Sequence, residues 1–275
     1  MGRLFIFLTA ILLLFSCQPN QEEAQEQVMP VVWDTVAYRK PQLMLQAPNC
    51  DTIKAFSCTK AKAHFVQIDQ QLSRIDSAKI NQLLRKAISR NQDNLTAYLQ
   101  KFINEYLMIL EEEPELLQGQ AGWQLDIEQK VLCNTDRLFS VSNYIFLFTG
   151  GAHGRYSTTY VNIDLSTGRL LDLEDILKGE FIGELTTVGE FYFRQAYKIA
   201  KDADINSTGF WFEDDNFYLP ENYGFTMDGI EFLYKPYEIA SFADGEPRFT
   251  IPYTALDAYL KHGAPLPVQQ LSLKH

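Results

Sequence analysis

Apolar residues recur along this chain with different periods, and the period changes in blocks. Leu4 to Phe15 is one apolar run broken only by Thr9, shorter than the ~20 residues a membrane-spanning helix needs. Residues 18–30 are polar and acidic, too poor in apolar side chains to offset their ordering entropy by burial, and read as a solvated tether. Ala63 to Ile68 is a short strand candidate. Ile80, Leu83, Leu84, Ala87 and Ile88 fall at helical spacing and predict an amphipathic helix from about residue 79 to 90. Leu95, Leu99, Phe102, Ile103, Tyr106 and Leu110 predict a second, with Asp93 or Asn94 as its cap. Glu111 to Glu113 and Pro114 end it, and three acids there oppose the helix dipole.

Past residue 120 the period falls to two. Trp123, Leu125 and Ile127 alternate with polar residues, Leu138 to Thr149 is rich in strand formers, and Tyr156 to Leu165 is a further strand closed by Ser166-Thr167-Gly168. Asp172-Leu173-Glu174-Asp175 is a capping-box variant opening a short helix that Gly179 ends. Leu185, Val188, Tyr192, Ala196 and Ile199 mark a longer helix. Asp228-Gly229 between two apolar runs is a hairpin signal. Phe249 to Ile251 is a last strand, and Thr254 is positioned to cap a terminal helix stopped by Gly263 and Pro265. Blocks of strands joined by hairpins predict an α+β fold, a mostly antiparallel sheet with packed helices in two small subdomains. The boundaries expected are 1–16 for a signal peptide, 17–40 for the acidic tether, 41–147 for an N-terminal α+β unit and 148–275 for a C-terminal one.

The apolar N-terminal run follows Met1-Gly2-Arg3 and ends in Leu14-Phe15-Ser16-Cys17. It suits a signal peptide, and its end resembles the bacterial lipobox, whose cysteine becomes an acylated N-terminus. Cys17 is therefore the expected lipidation site, with several acyl chains giving a firm membrane anchor. Gly2 does not suit N-myristoylation, because Ile6 stands where that pattern wants Ser or Thr. Gln21-Glu22-Glu23 resembles the acidic export signal of surface-exposed lipoproteins. The expected location is the cell envelope: an outer-membrane lipoprotein, periplasmic or surface-exposed.

Composition narrows the picture. Hydrophobic residues are 46% and charged residues 21%, which argues against disorder. Formal net charge is −11, and loss of Arg3 with residues 1–16 makes it −12. Such a chain repels nucleic acid; its acidity serves solubility and favours a basic partner. Cys50, Cys58 and Cys133 allow three pairings. The short separation and an oxidising compartment favour a Cys50–Cys58 disulfide, leaving Cys133, between Val131 and Leu132, as a buried thiol.

Thr149-Gly150-Gly151-Ala152-His153-Gly154 is the most distinctive local run. It is no phosphate loop, since no Lys-Ser/Thr follows. His153 has the chemistry of a general base or metal ligand, but His64, His262 and His275 show no zinc spacing. Gly150, Gly151, His153 and Gly154 are thus expected to be a structural turn, with no catalytic residue, no metal and no cofactor. Glu213-Asp214-Asp215-Asn216 lacks the spacing of a calcium loop and reads as an acidic surface loop. The fourteen aromatics from Phe191 to Tyr237 read as core and hairpin packing more than as a sugar-stacking platform.

The same glycine run resembles, in order and spacing with later motifs, a widespread envelope domain of formally unknown function. Those motifs are Tyr160 to Gly168, Leu171 to Leu177, Phe217-Tyr218-Leu219, Gly229 to Phe232, Tyr237-Glu238-Ile239-Ala240 and Phe249 to Tyr253. Residues of about 60–145 resemble the companion domain that often precedes it. The pair is similar to the extracytoplasmic region of lysozyme-sensing anti-sigma factors, and a related region precedes a peptidoglycan deacetylase domain. The sigma-binding segment and the deacetylase domain find no counterpart here, so sigma control and deacetylation are not implied. The resemblance implies a non-catalytic envelope binding protein, held at the membrane by its lipid anchor, that recognises a lysozyme-like protein or a cell-wall component such as peptidoglycan. The alternatives are a peptidoglycan-modifying enzyme and a structural envelope lipoprotein.

Overall fold

The computed structural model describes residues 35–48, 50, 58–69, 76–92 and 94–267. The signal peptide, the acidic tether to residue 34 and Cys17 lie outside the described residues. Four short strands come first: β1 (Tyr38–Arg39), β2 (Gln42–Gln46), β3 (Lys60–His64) and β4 (Gln67–Ile68). The stretch 63–68 is split rather than continuous: Phe65 N still bonds Pro41 O in the β2 register, but Pro41 has no N–H to return, and Val66 N turns to the buried Gln129 Oε1 at 2.9 Å. Helices α1 (Ser77–Ile88) and α2 (Leu95–Glu112) follow. Asp76 Oδ1 accepts from Lys79 N at 3.0 Å and Asn94 Oδ1 from Ala97 N at 3.1 Å, so each helix starts where a short polar side chain satisfies an otherwise orphan N–H.

Then come the long strands β5 (Gln124–Asn134), β6 (Leu138–Phe148) and β7 (Arg155–Asp164), with the short β8 (Arg169–Leu170). They complete a six-stranded sheet of order β2-β3-β5-β6-β7-β8. Every pairing is antiparallel except β3 with β5, whose crossover contains α1 and α2. Strands from either side of residue 148 share this sheet, and 148 itself ends β6 at the tip of a hairpin. The described residues belong to one compact unit.

Period-two alternation gives the sheet two faces. Leu125 and Ile127 of β5 lie opposite Leu147 and Ile145 of β6, and α2 closes over them together with Ala61, Ala63 and Trp123. Further along the same face α1 buries Ile80 and Leu84 against Phe139, Val141 and Ile163. Each fully buried Leu or Ile contributes roughly 1.5–3 kcal/mol. Gln129 and Asn143 interrupt this apolar face without cost, because Gln129 Nε2 donates to Asn143 Oδ1 at 2.7 Å and to Leu84 O at 3.0 Å.

The C-terminal third supplies a second layer. It contains α3 (Leu173–Ile176), α4 (Ile182–Ala196), a three-stranded antiparallel sheet of β9 (Tyr223–Phe225), β10 (Gly229–Leu233) and β11 (Arg248–Pro252), and α5 (Tyr253–Leu256). Asp175 Oδ2 accepts from Asp172 N at 2.9 Å, the reciprocal bond of a capping box. Phe193 of α4 sits at the centre of the layer, with the rings of Phe210, Phe212, Phe217, Tyr234 and Phe249 at centroid distances of 5.0 to 5.8 Å. The aromatics of this stretch are therefore mostly core.

Some expectations change. The terminal helix is a single turn capped at Pro252, not at Thr254, and a 3-10 turn, Asp257–Tyr259, follows it. Helix α4 stops at Ala196, before Ile199. The expected hairpin forms between β9 and β10, but Gly229 itself lies in β10, where an added Cβ would stand 2.3 Å from Ile251 O, so the residue is needed for close strand approach. Cys50 and Cys58 are disulfide-bonded, and Cys133 is a buried free thiol.

Candidate functional site

The second face of the six-stranded sheet carries the even-numbered residues of β6 and β7. The C-terminal layer covers only part of it. Asn162 Oδ1 accepts from Ser140 Oγ at 2.7 Å and from Phe225 N at 3.1 Å, while its Nδ2 donates to Tyr223 O at 3.0 Å. Tyr160 OH donates to Glu231 Oε1 at 2.6 Å. Burial, then the hydrogen bond and charge of Glu231, raise the Tyr160 hydroxyl far above the usual tyrosine range. Glu246, whose side chain is 4% exposed, accepts from Thr158 N and Oγ1, both at 2.6 Å, and lies 3.7 Å from Arg248 Nη2. Charge-assisted bonds of this kind are stronger than neutral ones. They clamp the layer down as far as Thr158 and no further.

Beyond Thr158 the face is open. Register places two rows on it: Met44, Lys62, Asp126, Phe146 and Tyr156, then Gln42, His64, Glu128, Tyr144 and Thr158. Tyr144 is 38% exposed and Met44 56%. The rings of Tyr144 and Tyr156 lie 6.0 Å apart. Burial first, then the neighbouring Tyr156 and the charges of Glu246 and Asp126, raise the Tyr144 hydroxyl.

A loop of the C-terminal layer stands at the edge of this face. Phe242 packs on Tyr156 at 5.1 Å and is flanked by the near-parallel rings of His153 at 5.0 Å and Tyr237 at 5.6 Å. The loop is tightly built. Tyr237 holds a left-handed φ of 66° and is 59% exposed. Glu238 Oε2 accepts from Lys235 N at 2.8 Å, and Ser241 Oγ bonds Asp244 Oδ2 at 2.5 Å. A bulky residue at positive φ is strained, and its surroundings must over-determine it.

The glycine run forms the other edge. Gly150 and Gly151 have φ of 98° and 91°, values that a side chain rarely adopts. Gly154 serves differently: an added Cβ would stand 2.4 Å from the Phe146 ring. His153 is exposed, its Nδ1 lies 3.0 Å from Gly154 O, and no carboxylate pairs with it among the described residues. Among those residues no group of three His, Cys, Asp or Glu is arranged to hold a metal, including Glu213 to Asp215. No described helix is long and apolar enough to cross a membrane.

The structure thus brings His153 to Phe242, Tyr156, Tyr144 and Tyr237, a continuous aromatic row that sequence reading did not assemble. Cys50 and Cys58 lie instead in the core under α2. One signal for the row was in the sequence: Tyr144, Phe146 and Tyr156 occupy the strand face that β5 fills with Asp126 and Glu128.

Residues 56–156 match the family described as deacetylase PdaC. Residues 174–254 match the family described as a protein of unknown function, DUF3298. No curated protein matches the chain. Two solved structures share the fold. One is a DUF3298 family protein from Pseudomonas aeruginosa PAO1, 20% identical, with a TM-score of 0.65 over 86% of this chain and 99% of that one. The other is a member of the same family from Bacteroides fragilis NCTC 9343, 22% identical, with a TM-score of 0.69 over 84% and 95%. At these identities the likeness speaks to the fold alone.

Proposed function

We propose that this protein is a lipid-anchored, non-catalytic binding module of the cell envelope that docks a lysozyme-like protein or a cell-wall component on the open sheet face. The observation that carries the reading is the aromatic row that runs from the exposed Tyr144 through the half-buried Tyr156 and Phe242 to the exposed Tyr237, beside an uncovered strand surface. Aromatic side chains offer large contact areas at small entropic cost, and they dominate binding surfaces. The fold would hold the row in place, and the 17–40 segment, anchored through Cys17, would keep it at the membrane.

Two measurements test this. Calorimetry of the full chain against lysozymes and soluble peptidoglycan fragments should give micromolar or tighter binding to at least one. Cys17→Ala should abolish acyl labelling and release the protein from the membrane fraction. The matched deacetylase description favours a second reading, an enzyme acting on peptidoglycan. Release of acetate or sugar from peptidoglycan by the protein would establish it and overturn the first.

A further inference from the structure

We infer that the open face takes a neutral saccharide chain, stacked on Tyr144 and Tyr156 and hydrogen-bonded by Lys62, Asp126 and Glu128. This rests on the reading of the protein as a binding module and names the ligand class of that site.

The charge pattern of the floor separates the candidate occupants. The protein as a whole is acidic, with a net charge of −11, yet the floor is not. Lys62 lies beside Asp126 with Nζ 3.6 Å from Oδ1, and Lys60 of β3 and Lys130 of β5 share this face with Glu128. Lysines and carboxylates are interleaved about one strand spacing apart, so their fields largely cancel over the distance at which a partner docks. A basic protein seeks a surface with an excess of acid, which steers and holds it. This floor has little to offer it. A polyhydroxylated ligand seeks the opposite: donors and acceptors side by side, each reachable by solvent. The Lys62 and Asp126 side chains are 41% and 46% exposed, and Lys62 donates while Asp126 and Glu128 accept.

The rings supply the other half. A pyranose presents axial C–H bonds on one face, and burying that face on an aromatic ring removes apolar surface from water while the hydroxyls point outward. Tyr144 is open to solvent. Tyr156 is wedged between Tyr144 and Phe242, and Phe242 is held by His153 and Tyr237. The platform therefore loses little side-chain entropy when a ligand arrives. Adjacent strands are about 4.8 Å apart, so β3 to β7 offers a run of roughly 14 Å across the strands, long enough for an oligosaccharide.

The test is calorimetry of the full chain with the tetramer of N-acetylglucosamine and with cellotetraose, alongside saturation-transfer NMR from tyrosine ring protons to sugar protons. At least one tetramer should bind, with transfer to its C–H protons and little change in affinity between about 0.05 and about 0.5 M salt. Tyr144→Ala should weaken it about tenfold, the loss of one stacked ring. Tyr144→Phe should stay within about twofold, since the ring face and not the hydroxyl makes the contact. An unchanged melting temperature in both variants ties the loss to the surface. Sugar binding that ignores Tyr144→Ala, or that collapses with salt, overturns the assignment. If neither tetramer binds but a lysozyme does and Tyr144→Ala abolishes it, the saccharide is overturned and the binding module stands. If neither sugars, peptidoglycan fragments nor lysozymes bind, both fall.

Discussion

One sheet face is treated in two ways along its length. From Thr158 to Asn162 the even-numbered side chains of β7 meet the C-terminal layer and are fully engaged: Thr158 with Glu246, Tyr160 with Glu231, Asn162 with Tyr223 and Phe225. One residue pair earlier, Tyr156 and its cross-strand neighbours Phe146 and Tyr144 have no such cover. Both halves obey the same alternation. The covered half carries polar groups, the Tyr160 hydroxyl among them, that bond the layer above, and the open half carries Tyr144 and Phe146, over which no such bond is made among the described residues. The difference teaches that at the edge of the cover the contact changes from hydrogen bonds to ring packing, with Phe242 on Tyr156 as the last of it and Tyr144 left exposed.

The sharpest probe of the covered half is Cys133. It lies in the core beneath the layer, 1% exposed, with Sγ 3.5 Å from Met227 Sδ. Burial pushes its thiol up to about 12. At pH 8 a group of that pKa is ionised to about one part in ten thousand. Alkylation by iodoacetamide should therefore be at least about a hundredfold slower in the native protein than in urea. Labelling at the unfolded rate, read by mass spectrometry, would show that the layer lifts readily and that the two halves are alike.

Asn162→Ala should produce the largest loss of stability. The substitution leaves Phe225 N–H and Tyr223 C=O without their partner in a buried site. The expected cost is about 2–4 kcal/mol, against less than about 0.5 kcal/mol for Tyr144→Ala on the open half. Chemical denaturation of the two variants measures the contrast directly, and equal losses would erase it.

Much of this architecture was legible in the sequence, and what was hidden has a physical reason. The α1 and α2 stripes, the β5 to β7 alternation and the Asp172 capping box depend on neighbours a few residues away, so local pattern exposes them. The cover on one half of a face depends on residues 60 to 90 positions distant, such as Glu246 on Thr158 and Tyr223 on Asn162, and alternation carries no record of which partner arrives. The aromatic row fails to show for the same reason: Tyr156 meets Phe242 only through the folded layer. The hairpin glycine was found but given the wrong task, because a missing side chain looks the same whether φ or a close backbone approach requires it.

Gly151 tests the edge of the open half. Its φ is 91°, and an added Cβ would meet nothing within 4 Å, so only backbone strain opposes a side chain there. Gly151→Val should cost roughly 1–3 kcal/mol, and Gly151→Asn, whose side chain tolerates the left-handed region, should cost clearly less. Equal thermal shifts for the two would mean that space, not φ, decides.

The smallest effect should come from His153, and that is what makes it informative. Its ring stacks on Phe242 at 5.0 Å while remaining exposed, and its Nδ1 contact is to the carbonyl of the next residue, Gly154. A solvent-exposed ring pair contributes at most about 0.5–1.5 kcal/mol, and less when water reaches both partners. His153→Ala should therefore lower stability by less than about 1 kcal/mol and leave ligand affinity within a few fold, because Phe242 keeps its contacts with Tyr156 and Tyr237. Phe242→Ala should do more on both counts, since it removes the ring the other three share. The pair separates support from chemistry. If His153 only buttresses the row, a double variant should lose little more than Phe242→Ala alone, since the histidine then has nothing left to stack on. A hydrolytic activity on peptidoglycan that disappears in His153→Ala while the fold and the row persist would instead make the histidine a catalyst and the open face a substrate cleft.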